Sequence, residues 1–212
     1  MENEETGSAG LLLNDLLQQA GMASLGPEQI KQFDAYLSLF VRWNARINLS
    51  SVRDPGEILA RHFVESITCA RTLPATISTL LDFGSGGGLP GIPIALCRPE
   101  IAVTLAESQG KKAAFLQEAV RVLGIPTKVF VGRGETLSQQ FDCVVLRAVD
   151  KMADAVHSAA RLVQVGGSLA LMTAYIDAPR LQLAVGEGYT WGEELPLPGS
   201  TDRILLCGVR AV

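Results

Sequence analysis

Asp82, Gly84, Gly86 and Gly88 stand at alternate positions in the stretch LLDFGSGGGLPGIP (residues 80–93), and Glu107 follows 21 residues after Gly86. Glycines this dense let backbone touch a ligand, because no Cβ stands in the way and some of them can take positive φ. An acid at the end of the next apolar run is placed to accept hydrogen bonds from ribose hydroxyls. Loop and acid together point to an adenosine cofactor, and two registers fit. Gly86, Gly88 and Gly91 satisfy the dinucleotide pattern G-x-G-x-x-G, whereas Asp82, Gly84, Gly86 and Gly88 satisfy D-x-G-x-G-x-G, the pattern that binds S-adenosylmethionine. Asp82 tilts the choice. A carboxylate two residues ahead of the first glycine repels a pyrophosphate and favours the ammonium of a methionine moiety, directly or through water. A bare turn needs neither five glycines nor the distant acid.

Such a loop must be held between a strand and a helix, with a second strand ending at Glu107. From Thr79 onward short apolar runs do alternate with helical ones: TLLDFG, then residues 92–96; IAVTLAE, then 111–123; TKVFVG, then FDCVVLRA; a helix over 153–163, then SLALMT, and lastly RILLCGV. This alternation predicts a mostly parallel sheet with helices on both faces. Arg133-Gly134-Glu135 follows the third strand, where backbone can reach an adenine edge. Arg147 ends the fourth, at the crevice where open sheets of this kind bind ligands, and needs an anionic partner: a structural acid, Glu135 or the cofactor carboxylate.

The N-terminal third reads as helical. Leu11 to Ala20 is Leu-rich, and Pro27 opens a longer helix with Ile30, Phe33, Leu37, Phe40 or Val41, and Ile47 at spacings of three and four. In DPGE (54–57) Asp54 is a cap, Pro55 a first-turn proline and Glu57 a capping-box acid. The chain therefore divides into an acidic disordered tail (1–9), a helical lobe (10–76) and an α/β domain (77–212).

The composition bounds the partners. Over 212 residues the formal net charge is -4, with a pI near 5.3, so bulk charge is not what grips a nucleic acid. The start lacks the basic and apolar regions of a signal peptide, and no run can span a bilayer. Cys69, Cys97, Cys143 and Cys207 form no CxxC pair. Free thiols, no metal, a cytoplasmic location and a monomer are expected.

WNARINLSSV, RHFVES, LDFGSGGGLPGIP, GKKAAFL, GRGE and LRAV occur here in the order in which they occur in the bacterial 16S rRNA guanine-N7 methyltransferases (RsmG, formerly GidB), which the chain resembles from about Phe33 to Leu171. The GLPGIP tail of the loop is the most specific part. The resemblance implies a class I S-adenosylmethionine-dependent methyltransferase, Rossmann-like with seven strands and an antiparallel last one. It implies cofactor contacts at Gly84, Leu89, Gly134, Glu135 and Arg147, with Glu107 as the ribose acid. The implied acceptor is guanine 527, in the decoding-region loop of 16S rRNA within the small ribosomal subunit or an assembly intermediate. Two positions depart from the family's pattern: Glu65 stands where an Asp is usual, and MTAY (172–175) offers no lysine where Lys-Gly is usual.

Guanine N7 carries an in-plane lone pair and loses no proton on methylation. No general base is required, in keeping with only two histidines, His62 and His157. Orientation is the expected source of catalysis. Amino-directed methyltransferases often carry [DN]-P-P-[YFW] where this chain has LRAV, and C5-directed ones need a nucleophilic Cys, whereas Cys143 lies mid-strand. Substrate-side candidates are Arg61, His62, Lys111 and Arg147. Further cations are Arg42, Arg46, Arg53, Lys112, Arg121 and Lys151, with Arg61 also placed to pair with Glu65 at i,i+4. Trp43 and Asn44 either meet a base or anchor the lobe. An NAD-type oxidoreductase, and a ribosome-assembly factor that keeps the adenosine pocket without turnover, stay open as alternatives.

Overall fold

The computed structural model describes residues 2–149 and 151–211. Five strands run parallel: β1 (Thr79–Phe83), β2 (Ala102–Glu107), β3 (Lys128–Val131), β4 (Phe141–Arg147) and β5 (Val163–Ala174). β8 (Arg203–Arg210) pairs antiparallel to β5, and β6 (Tyr189–Trp191) closes the order β3-β2-β1-β4-β5-β8-β6. The order reverses between β1 and β4, so the carboxyl ends of these strands open a crevice.

Among the described residues the sheet has eight strands where seven are expected. The extra one, β7 (Leu195–Pro196), pairs with the same edge of β8 that β6 uses. Trp191 and Leu195 are four residues apart while their partners Gly208 and Leu205 are three apart, so β6 and β7 are one lane with a single residue bulged out. Seven lanes hold eight strands.

α1 (Glu2–Gln19) and α2 (Pro27–Ile47) pack with α4 (Val64–Thr72) over one face. α1 starts at Glu2, so residues 2–9 continue a helix where the composition predicts a tail. In α2, Pro27 occupies the first turn, and Phe33, Tyr36, Leu37 and Phe40 bury the stripe expected of an amphipathic helix. Tyr36 and Phe63 stack with ring centroids 4.9 Å apart, and Trp43 meets Phe115 edge-on at 5.7 Å, binding α2 to α6 (Gly110–Leu123). Trp43 is thus a core anchor. Asn44 is structural too: it is buried, donating to the Val52 carbonyl at 2.7 Å and accepting from Ser50 N–H at 2.8 Å.

A single apolar cluster runs from α1 and α2 through α4 to the sheet, joining Leu13, Phe40 and Ile67 to Leu80 and Met172. A second fills the opposite face, under α7 (Met152–Ala160) and α8 (Ala178–Val185). All four cysteines are free. Cys143 is fully buried and its thiol is held far above its ordinary range by desolvation, which is not the environment of a nucleophile.

Candidate functional site

The loop after β1 is built from backbone. Gly84 has φ +76°, and the N–H groups of Gly84 and Ser85 both donate to the Ala106 carbonyl, at 3.0 and 2.9 Å. A Cβ on Gly84 would lie 3.0 Å from Val149 and would also have to adopt this left-handed backbone, so the position requires glycine on two counts. Gly88 and Gly91 answer to packing: a Cβ would come within 2.5 Å of Ile92 at the first and 2.3 Å of Leu105 at the second. The glycines of this loop therefore split between those that expose backbone and those that let α5 (Gly91–Cys97) approach the sheet.

Asp82 lies beneath the loop. It is 1% exposed, and its Oδ2 accepts from Gly91 N–H at 3.0 Å while Oδ1 has no partner among the described residues. Burial pushes its pKa up to about 7, against the pull of the Gly91 N–H. Glu107 ends β2 and ties the loop from the other side: Oε2 accepts from Gly86 N–H at 2.9 Å and Oε1 from Gln109 N–H at 2.7 Å. A carboxylate has about four lone-pair sites. Two are thus used to hold backbone, and the others remain for a ligand. Gly134 is buried where a Cβ would meet the Phe83 ring at 2.6 Å, and Glu135 beside it pairs with Arg133 at 2.6 Å.

Helical lobe and sheet meet across this loop. Tyr36 donates its hydroxyl hydrogen to the Gly87 carbonyl at 2.5 Å, and Phe40 fills the space a Cβ on Gly87 would take. Between α3 (Pro55–Ile58) and α4, residues Leu59–Phe63 form one wider π-turn. Asp54 caps α3 as expected, accepting from Glu57 N–H at 2.8 Å. Such single π-turns re-aim side chains and recur at functional sites. Here three groups of this helical run converge on one guanidinium. Arg147 Nη2 donates to the Arg61 carbonyl at 2.9 Å, to His62 Nδ1 at 2.9 Å and to Glu65 Oε2 at 2.6 Å. Arg203 reaches the same Glu65 oxygen at 3.3 Å.

The network fixes the state of each member. A guanidinium only donates, so His62 Nδ1 accepts, and its Nε2–H donates to Ser50 Oγ at 2.7 Å. Burial first, and Arg147 next, push the His62 pKa down to about 3, so the ring is neutral at physiological pH and both nitrogens are engaged. Desolvation lowers Arg147 to about 10, against the support of Glu65. Glu65 is raised by its burial, against the attraction of Arg147 and then Arg203. The expected i,i+4 pair between Arg61 and Glu65 does not form. The π-turn takes the two side chains out of the stacking that a regular helix gives, and Arg61 instead pairs with Glu57 at 3.3 Å.

Loop and network face one cavity of about 1080 Å³. Gly84, Gly86, Leu89 and Glu107 line one side of it, Gly134 and Glu135 another, and Arg61, His62 and Arg147 a third. Asp82 and Gly88 lie behind this lining, and Lys111 lies outside it. Lys112 faces the cavity in place of Lys111, because one step around α6 turns a side chain by about 100°. Arg53 donates to the Asn44 and Ser50 carbonyls at 3.1 and 2.7 Å, closing the C-terminus of α2, and Arg121 pairs with Glu118 at 2.9 Å. The sequence alone does not single out Tyr36, Ser50 or Arg203 for this site. Their partners are far along the chain, and no local pattern marks them. Among the described residues no group of three or more His, Cys, Asp or Glu is placed to hold a metal ion, and no described helix is long and apolar enough to cross a membrane.

Comparison with known proteins gives concordant results. The profile of the family GidB, described as rRNA small subunit methyltransferase G, matches residues 29–182. The ribosomal RNA small subunit methyltransferase G of Roseiflexus castenholzii is 39% identical over 199 residues, covering 88% of this chain and 85% of its own. That of Xanthomonas euvesicatoria pv. vesicatoria is 41% identical over 165 residues, covering 76% of each. Among solved structures, cofactor-bound Rv0187 from MTB superposes with a TM-score of 0.61 at 20% identity, over 85% of this chain and 90% of that one. The mitomycin 7-O-methyltransferase MmcR gives 0.60 at 14%, over 88% and 74%. At these identities the structural likeness concerns the fold, which is that of class I methyltransferases.

Proposed function

This chain belongs to the rRNA small subunit methyltransferase G family, and on that footing we propose that it methylates N7 of guanine 527 in 16S rRNA. It is an S-adenosylmethionine-dependent rRNA guanine methyltransferase by that membership. Neither an NAD-type oxidoreductase nor a non-catalytic assembly factor is favoured by any of these findings.

The cavity fits the cofactor. Glu107 carries the argument: a buried carboxylate at the end of β2, already holding Gly86, with lone pairs left for two ribose hydroxyls. Gly84, Gly86 and Leu89 would flank the methionine and ribose, and Gly134 and Glu135 the adenine. Asp82 would act from beneath, through the loop or through water reaching its unpartnered Oδ1. Arg147 would hold the rim by way of Glu65 and His62, leaving little of its own charge free for a ligand. Held there, S-adenosylmethionine would supply an electrophilic methyl group for transfer to N7.

The chain's own task is to orient. Since N7 gives up no proton, a neutral and fully engaged His62 loses nothing by being unavailable as a base. Holding two reactants in line can supply roughly 7–11 kcal/mol of the barrier in favourable cases. The chain divides into a helical lobe over residues 10–76 and a methyltransferase domain over 77–212, and it works as a monomer in the cytoplasm. Because the chain is acidic overall, it reads the assembled small subunit by shape and a few phosphates, with Arg61 and Lys112 at the cavity mouth. Labelled methyl transfer to assembled subunits and to stripped RNA, with the product base mapped, tests this. We expect label on guanine N7, stronger on subunits. Label on adenine or cytosine would refute the acceptor, and equal transfer to both substrates would refute recognition of the subunit.

A further inference from the structure

A second cavity of about 400 Å³ opens beside the first, and the two share Arg61, Ala148 and Arg203 as a common wall. The end of β5 also lines it, with Ala174 directly beside Arg203 in the sheet, as does Asp177, the last residue of the short 3₁₀ turn Tyr175–Asp177 that follows. That turn is pinned, with Tyr175 N–H donating to the Asp202 carbonyl at 2.7 Å. Asp177 stands at the start of α8 without making a capping bond, and its carboxylate has no hydrogen-bond or ion-pair partner among the described residues. It lines this cavity but not the larger one. Next to it, Tyr175 is 62% and Ile176 85% exposed, an aromatic and an aliphatic side chain turned to solvent.

Resting on the reading that guanine N7 is methylated, we infer that Asp177 selects guanine by accepting hydrogen bonds from its N1–H and 2-amino groups. A base whose N7 is turned to the larger cavity, where the cofactor would sit, leaves its Watson–Crick edge in the smaller one, whose lining includes Asp177. Adenine presents a lone pair at N1 and no 2-amino group, so it meets a carboxylate with repulsion and an unpaired oxygen. A base can enter such a recess only after leaving its stack, and Tyr175 and Ile176 are placed to cover the neighbours it leaves. The carboxylate also serves the reaction. The positive charge that methylation puts on the imidazole ring makes N1–H more acidic, so a bond from N1–H to Asp177 strengthens as the transition state forms. The effect belongs in kcat.

The test uses the full chain with small subunits reconstituted to carry guanine or inosine at the target, inosine lacking only the 2-amino group. Asp177→Asn is expected to lower kcat on guanine roughly 10- to 100-fold. Binding of S-adenosylmethionine by calorimetry and the unfolding midpoint should stay unchanged. The wild type should lose about tenfold on passing from guanine to inosine, whereas Asp177→Asn should scarcely tell them apart. A variant with wild-type kcat, or one that discriminates against inosine as strongly as the wild type, overturns the role of Asp177 alone. A wild-type chain that puts no methyl on guanine N7 overturns the underlying reading as well.

Discussion

The two walls of the larger cavity are made differently. The glycine-loop wall is backbone: Gly84, Ser85, Gly86 and Gly91 donate N–H groups to the Ala106 carbonyl, Glu107 and Asp82, over at most some twenty residues of chain. The lobe wall is side chain: one guanidinium gathers Arg61, His62 and Glu65 across more than eighty residues, with Arg203 joining from the last strand. The first wall depends on φ and close packing at its glycines and on two carboxylates that accept its N–H groups. In the second, each charge is buried because another is, so removing one strands the rest.

Substitutions can break that contrast. Glu65→Ala leaves Arg147 buried without its carboxylate and should cost about 3–5 kcal/mol in urea unfolding, whereas a loss below 1 kcal/mol would mean that the network is not what holds the lobe wall. The glycine-loop wall is sensitive to pH through Asp82. With its pKa raised from 3.8 to about 7, the folded protein keeps a proton that the unfolded chain gives up above about pH 4. Stability contributed by this group is therefore complete below pH 4 and is lost as pH rises towards 7, roughly 4 kcal/mol in all at no more than about 1.4 kcal/mol per unit. Asp82→Asn should flatten that fall in urea titrations between pH 4 and 7, and an unchanged slope would assign it to other groups. Gly84→Ala should cost the least stability, about 1–2 kcal/mol for the left-handed backbone, yet weaken S-adenosylmethionine binding in calorimetry. Full affinity in that variant would show that the loop has an alternative conformation for the ligand.

The same contrast explains what the sequence made legible. The loop, Glu107 and the strand–helix alternation are local, each written within one βαβ unit, and the sheet order follows from them. Asp54 as a cap and Asp82 ahead of the glycines are equally local. The partner of Arg147 is not, since nothing near residue 147 distinguishes Glu65 from Glu135 as its anion. The π-turn hides as well: it inserts one residue's worth of helix without a Gly or Pro to mark it, and so breaks the i,i+4 logic that pairs Arg61 with Glu65. Lys111 and Lys112 are separated only by helical phase, which the start of α6 at Gly110 decides. Asp177 lies two residues beyond MTAY (172–175), the stretch where the family's usual lysine is missing, and no local pattern marks it as a base-reading acid.

The bulged lane formed by β6 and β7 has a bearing on solubility. A sheet edge offers unpaired N–H and C=O groups on which another chain can build, and a long flat edge is a template for aggregation. Here the border breaks at Gly192–Glu194, two acids follow the glycine, and Pro196 withholds its donor, so an incoming strand finds no continuous ladder to copy. The opposite border, β3, is only four residues long and begins with Lys128. Both margins of the sheet are thus poor templates for an added strand.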